Sequence, residues 1–143
     1  MNDLAASIGL GQLERLPEMN ARRSEIIKQY MEGIKNIEGV EPLLPYEPDN
    51  YVYQMFGIRT ENRDDLMIHL KSQGIATGCH YTPLSMQPLF KPYAGDCSYI
   101  EKEHNKFITL PFHADLTDKE VEYVVEKIRE YEHGSVESRT RCN

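Results

Sequence analysis

The residues with types suited to chemistry concentrate in one stretch, Gly74 to Pro92, GIATGCHYTPLSMQPLFKP. Cys79 and His80 stand side by side there, Tyr81 follows, and Lys91 lies near the end. A catalytic thiol needs a base within reach and a third group to orient that base. Adjacent residues on a strand point to opposite faces, so Cys79 and His80 make a poor dyad. Cys97 and His104 are seven residues apart, two helical turns, and could share a face, but nothing else in the sequence supports that pair. His69, His80, His104, His113 and His133 show no zinc-ligand spacing and read mostly as solvated or capping residues. The GLG at residues 9–11 sits inside a helical pattern and follows no strand, so it is not a phosphate loop. The carboxylates at Asp64-Asp65 and at Glu101 and Glu103 read as solvated helix faces.

Composition narrows the function classes. A net charge of −7, with the basic residues scattered, argues against nucleic acid or an anionic membrane as the main partner. No run of about 18 apolar residues exists to cross a membrane. The first residues, MNDLAASIGLGQLERL, lack the basic start of a secretory signal, so a cytoplasmic location is expected. Cys79, Cys97 and Cys142, an odd count without C-x-x-C spacing, fit free thiols in a reducing compartment. A chain of 143 residues has room for one domain.

The elements that must position the central stretch follow from periodicity. Residues 3–37 carry apolar residues mostly at three- and four-residue steps and read as helix, capped by Asn2. Pro17 predicts a kink or break near Leu16, or the first turn of a second helix. Ala5, Ala6, Ser7, Gly9 and Gly11 make this helix small-sided at its start. That side packs closely either on a helix of the same domain or on another domain or subunit. Residues 38–50 hold three prolines, with a possible edge strand at Val40 to Leu44. Tyr51 to Arg59 is the clearest strand. Asn62 with Asp65 predicts a capped helix bearing Leu66, Met67 and Leu70, ended by Gly74. Ile75 to Cys79 reads as a second short strand entering the long loop, Cys97 to Lys106 as a polar helix, and Phe107 to Leu110 as a third strand stopped by Pro111. Thr117 to Glu120 is a capping box. It opens a helix with Val121, Val124, Val125, Ile128 and Tyr131 on one face, ended by Gly134, with His133 favourable at the negative end of the dipole. The tail 134–143 is expected to be disordered. The predicted fold class is α+β: a small three- or four-stranded sheet with helices packed on one face. Its parts are a helical segment 1–37, an α+β domain 38–133 and the tail. A loop as long as the central stretch is usually functional when it is ordered.

Several stretches together resemble one family. MNDLAASIGLGQLERLPEMNARR, YVYQMFGIRTENRDDLMIHLKSQGIATGCHYTPLSMQPLF and ITLPFHADLTDKEVEYVVEKI are similar, in type and order, to the C-terminal region of the pyridoxal-phosphate-dependent sugar aminotransferases, the DegT/DnrJ/EryC1/StrS family. The resemblance covers about residues 1–132. It implies amino transfer, usually from glutamate, to a keto-sugar linked to a nucleotide. It also implies a pyridoxal phosphate cofactor held on a lysine, and a dimer with active sites at the subunit interface. The large domain that carries the lysine precedes this region in the family, and none of its motifs occurs here. Met1 falls on the family's methionine position, which suggests an internal start or a truncated product. No lysine matches the Schiff-base motif, and Lys91 sits among exposed loop residues. By the resemblance, His80 and Tyr81 approach the nucleotide-sugar substrate, Ser85 replaces a second histidine of many members, and His113 is structural rather than a substrate contact. No cofactor is expected for this chain alone, and no catalytic or metal-binding residue is nominated. The alternative is a non-catalytic module that self-associates or docks on a full-length aminotransferase through its first helix. A small-molecule regulatory domain is a weaker third reading, with no ligand motif behind it.

Overall fold

The computed structural model describes residues 2–43 and 52–140, with side chains through residue 132. In chain order the elements are α1 (Asp3–Ile34), β1 (Val40–Pro42), β2 (Phe56–Thr60), α2 (Arg63–Ser72), α3 (Ser98–His104), β3 (Phe107–Leu110) and α4 (Asp118–Thr140). Two single 3-10 turns, Leu84–Met86 and Lys91–Tyr93, shape the long loop. The sheet is antiparallel, in the order β1-β2-β3, with β1 at an edge as its proline requires. The α+β class and the one-faced helix layer are as the sequence predicts.

Alternation builds the core. Phe56, Ile58 and Thr60 of β2 and Ile108 and Leu110 of β3 turn to the helices and are buried. From α1 they meet Ile26, Ile27, Tyr30 and Ile34; from α2, Leu66 and Leu70; from α4, Val121, Val124, Val125 and Ile128. Tyr30 is fully buried, stacks on Phe56 with ring centroids 5.0 Å apart, and donates from its hydroxyl to the Pro111 carbonyl at 2.9 Å. Burial pushes its phenol well above the usual tyrosine range. Arg22 fastens α1 to the start of α4, donating from Nε to the Leu116 carbonyl at 3.2 Å and pairing with Asp118 at 2.8 Å. That contact raises the guanidinium's pKa, and Gln29 and Arg22 together hold the Asp118 carboxyl below its usual range.

Local signals act largely as read. The Asn2 side chain accepts from the Ala5 amide at 2.9 Å. The Glu120 carboxylate accepts from the Thr117 amide at 2.8 Å, and the Glu120 amide donates back to Thr117 Oγ1 at 3.3 Å. Gly74, at φ +77°, ends α2: its amide donates to the Lys71 carbonyl, and the Ile75 amide donates to the Leu70 carbonyl. This is a Schellman closure, and it carries buried Ile75 back onto the core.

The structure corrects several details. α1 runs unbroken through Pro17, so there is no second helix start. Asn62 makes no side-chain cap bond to α2. β2 begins at Phe56, with Val52 to Met55 outside it; Tyr51 and Leu44 lie outside the described residues. Ile75 to Cys79 forms no strand, only the bridge Gly78↔Thr109. α3 is shorter than read, Ser98–His104. α4 passes through Gly134 to Thr140, so 134–140 is helical backbone, while 141–143 and the His133 side chain lie outside the described positions.

The first half of α1 stands clear of the domain. Leu4, Ile8, Leu10 and Leu13 are each at least 60% exposed. A Cβ added at Gly9 or Gly11 would meet nothing within 4 Å. Among the described residues, therefore, no helix of this domain packs on the small side. Close packing occurs instead at Gly33, where an added Cβ would lie 2.8 Å from both Val125 methyls.

On the outer face of the sheet, Arg59 and Lys106 share Glu103, and Lys106 Nζ also lies 2.9 Å from Glu61. Arg59, ahead of Lys106, holds the Glu103 carboxyl below its usual range, and Lys106 does the same to Glu61.

Two outcomes follow for stability. Gly33→Ala gains about 1 kcal/mol of helix propensity but overpacks a buried contact at about 1–3 kcal/mol. Thermal melting should show a net loss, recovered in the double variant with Val125→Ala. Glu103 and Glu61 have depressed folded pKa values. Their contribution is therefore present above the ordinary carboxylate pKa of 4.5 and is lost as pH falls through the depressed values. Glu103→Gln should flatten the acid limb of a melting-temperature profile below about pH 4.5; an unchanged slope there would overturn the assignment.

Candidate functional site

The site is built where the loop after α2 returns along β3. Thr109 alternates with Ile108 and Leu110, so it faces away from the helices. Its cross-strand partner in β2 is Gly57. On its other side Gly78 closes the bridge, with Thr109 N–H donating to Gly78 O at 2.7 Å and Gly78 N–H to Thr109 O at 3.0 Å. Two residues on, the His80 imidazole folds back over Gly78, and Nδ1 lies 3.0 Å from Thr109 Oγ1. The Tyr81 ring meets His80 edge-on, with centroids 5.0 Å apart at 83°. The His80–Tyr81 peptide bond is cis. Both side chains are exposed, Tyr81 at 73%.

Cys79 points elsewhere. Its sulfur accepts from Arg63 Nη1 at 3.0 Å and lies 3.9 Å from each ring nitrogen of buried His104. Cys79 and His80 thus point to different partners, although no strand runs through them. His104 keeps company with Cys79, across 25 residues, rather than with Cys97. Cys97 instead precedes α3, where its carbonyl accepts from the Glu101 amide at 3.1 Å.

Beyond Tyr81 the loop carries exposed Leu84, Leu89, Phe90 and Tyr93, and Lys91 sits exposed in the second 3-10 turn. Ser85 is buried, and its hydroxyl has no hydrogen-bond partner among the described residues. His113 is exposed at the turn before α4, where its carbonyl accepts from the Leu116 amide at 3.2 Å. Its imidazole adds to the lowering of the Glu120 carboxyl, which Thr117 chiefly causes. No group of three or more metal-ligating side chains occurs among the described residues. No described helix is long and apolar enough to cross a membrane.

His80 and Tyr81 thus come together as an exposed pair, while Thr109, Gly78 and Arg63 were not picked out from the sequence. Thr109 could have been found from the alternation in ITL, which turns it off the core face. Arg63 reaches Cys79 across 16 residues and carries no local signal.

The profile of the DegT/DnrJ/EryC1/StrS aminotransferase family matches residues 1–129. Among solved structures, the aminotransferase TlmJ from Streptoalloteichus hindustanus is 30% identical with a TM-score of 0.83, covering 95% of this chain and 37% of that one. Spr1654 from Streptococcus pneumoniae, in its PLP-form, is 28% identical with a TM-score of 0.83, covering 94% of this chain and 36% of that one. DesV from S. venezuelae, in complex with a ketimine intermediate, is 26% identical with a TM-score of 0.82, covering 89% and 35%. The chain spans about a third of the length of each of these proteins. The match reaches from the exposed first helix to the capped last one, and on it the chain belongs to the DegT/DnrJ/EryC1/StrS aminotransferase family.

Proposed function

We propose that this chain is the substrate-side small domain of a sugar aminotransferase. In the complete enzyme the reaction moves an amino group from glutamate to a nucleotide-linked keto-sugar, and the setting is cytoplasmic. The observation that carries this reading is the exposed His80–Tyr81 pair on a family-matched loop, backed by the sheet through Thr109. An exposed aromatic beside an imidazole offers a stacking surface and a hydrogen-bonding group, the combination a sugar linked to a base and phosphates calls for.

Pyridoxal phosphate does not fit the described residues by themselves. A Schiff-base lysine needs a desolvated or cationic setting. Here Lys106 and Lys127 hold carboxylates at 2.9 Å and 2.7 Å, and Lys28, Lys35, Lys71, Lys91, Lys102 and Lys119 are exposed. The amino-group chemistry therefore belongs to a large domain that supplies the lysine, and this chain by itself is inactive.

The first half of α1 favours a second role beside the first. Leu4, Ile8, Leu10 and Leu13 lie exposed around two glycines that allow close approach. As an assembly module, the chain would bury this face against another copy or a full-length aminotransferase.

Three measurements test these readings. Adding pyridoxal phosphate should give neither an internal aldimine absorbance nor a borohydride-fixed label, while a separately supplied large domain from a family member should restore transamination. A single lysine labelled at one equivalent overturns the claim of inactivity. With UDP-glucose as probe, His80→Ala and Tyr81→Ala should each weaken binding in the complemented enzyme by about five-fold or more, the cost of about 1 kcal/mol from a lost hydrogen bond or a lost ring contact. Light scattering should show self-association that Ile8→Glu abolishes; a clean monomer at high concentration overturns the self-association arm of the assembly role.

A further inference from the structure

Thr109 occupies an unusual place on the outer face of the sheet, because both of its lateral neighbours are glycines. Gly57 lies opposite it in β2 and Gly78 across the bridge. Each glycine is covered by a side chain from elsewhere. A Cβ at Gly57 would lie 2.5 Å from Leu43 Cδ1, and a Cβ at Gly78 would lie 2.6 Å from His80 Cε1 and 3.1 Å from its Nδ1. Thr109 thus stands between two recesses, one filled by Leu43 and the other by the His80 ring. The hydroxyl reaches the ring at 3.0 Å from Nδ1. The backbone pair between Gly78 and Thr109, at 2.7 and 3.0 Å, fixes the distance between recess and hydroxyl.

We propose that Thr109 and Gly78 are positioning residues for His80. Gly78 provides the room for the imidazole, Thr109 holds Nδ1, and the ring meets its ligand through Nε2 in a single orientation. A neutral imidazole has one donor and one acceptor nitrogen, and a hydroxyl can serve either, so Thr109 Oγ1 pairs with Nδ1 in both tautomers. What the bond fixes is the ring's orientation: it restricts the freedom to turn that an exposed histidine otherwise keeps until a ligand arrives. Ordering a side chain before binding spares part of that entropic cost at the moment of binding. The Tyr81 ring, edge-on at 5.0 Å, flanks the imidazole so held. The identity of the ligand rests on the substrate-wall reading above; the placement of the ring does not.

The test uses the full chain and nuclear Overhauser contacts from the His80 ring protons, recorded with the ring neutral. The wild type should show contacts from the ring to the Gly78 α-protons, the mark of one orientation. T109V should lose most of them and T109S should keep them. G78A should lose them as well, although the threonine hydroxyl remains. Methyl signals of Ile108 and Leu110 report whether each variant keeps its fold. If T109V fails to fold, T109S and G78A decide between the same two outcomes. Wild-type ring contacts in both T109V and G78A, or no contact from the ring to Gly78 in the wild type itself, overturn the proposal. Adding UDP-glucose to the chain complemented with a large domain separates the two readings. A pinned ring that no nucleotide sugar perturbs sinks only the substrate wall, whereas a perturbed but unpinned ring sinks only the positioning role.

Discussion

The packing of this domain turns on the contact between the Tyr30 hydroxyl and the Pro111 carbonyl, 2.9 Å long at the edge of the core. Tyr30 is fully buried and stacked on Phe56, so its phenol needs a partner. Pro111 provides the carbonyl but no amide of its own, and that asymmetry shapes the sheet. Leu110 pairs with Phe56, and the Thr60 amide donates to the Lys106 carbonyl, so the hydrogen-bonded rungs toward β2 fall on alternate residues of which Pro111 is not one. On the other side Thr109 pairs with Gly78, and the next hydrogen-bonded rung, toward Ala76, would need the missing amide. One proline therefore stops the ladder on that flank, while its oxygen ties α1 to the exit of β3.

How much of this was legible in the sequence depends on whether the signal is local. The Asn2 cap, the Thr117–Glu120 box, Gly74 and β3 at Phe107–Leu110 were all read correctly, because each is written within a few consecutive residues. The strand expected at Ile75 to Cys79 is reduced to one bridge beside Pro111, which is far from it in sequence. Pro17 was expected to break α1. It lies in the exposed half, where the carbonyl that loses its partner can bond to water. Gly134 was expected to end α4, but one glycine costs only about 1 kcal/mol, less than a packed helix can bear. In the site, His80 and Tyr81 came from resemblance. What holds His80, a threonine 29 residues away and a glycine bridged to it, came only from the fold.

The two faces of the sheet stabilise the domain in different ways. Inside, Ile58, Ile108, Leu66, Leu70 and Ile128 are removed from water and contribute mainly through their apolar area. Outside, Arg59 and Lys106 gather Glu41, Glu61 and Glu103 into a network open to solvent, which contributes modestly and depends on pH. His80 and Thr109 sit on this outer face with little apolar packing over them, so hydrogen bonding and shape must place them.

At 1.5 Å per residue, the 32 residues of α1 measure about 48 Å, and the core grips it mainly from Met19 onward. Roughly the first 24 Å is therefore a spar carried by the domain without touching it. Whatever seats against that spar is held at a set distance and bearing from the His80 loop, because both are fixed to the same rigid core. In mechanical terms the helix is a gauge arm with its root at Arg22. Pro17, about one turn beyond Leu13 and just outside the grip, leaves the arm unbroken.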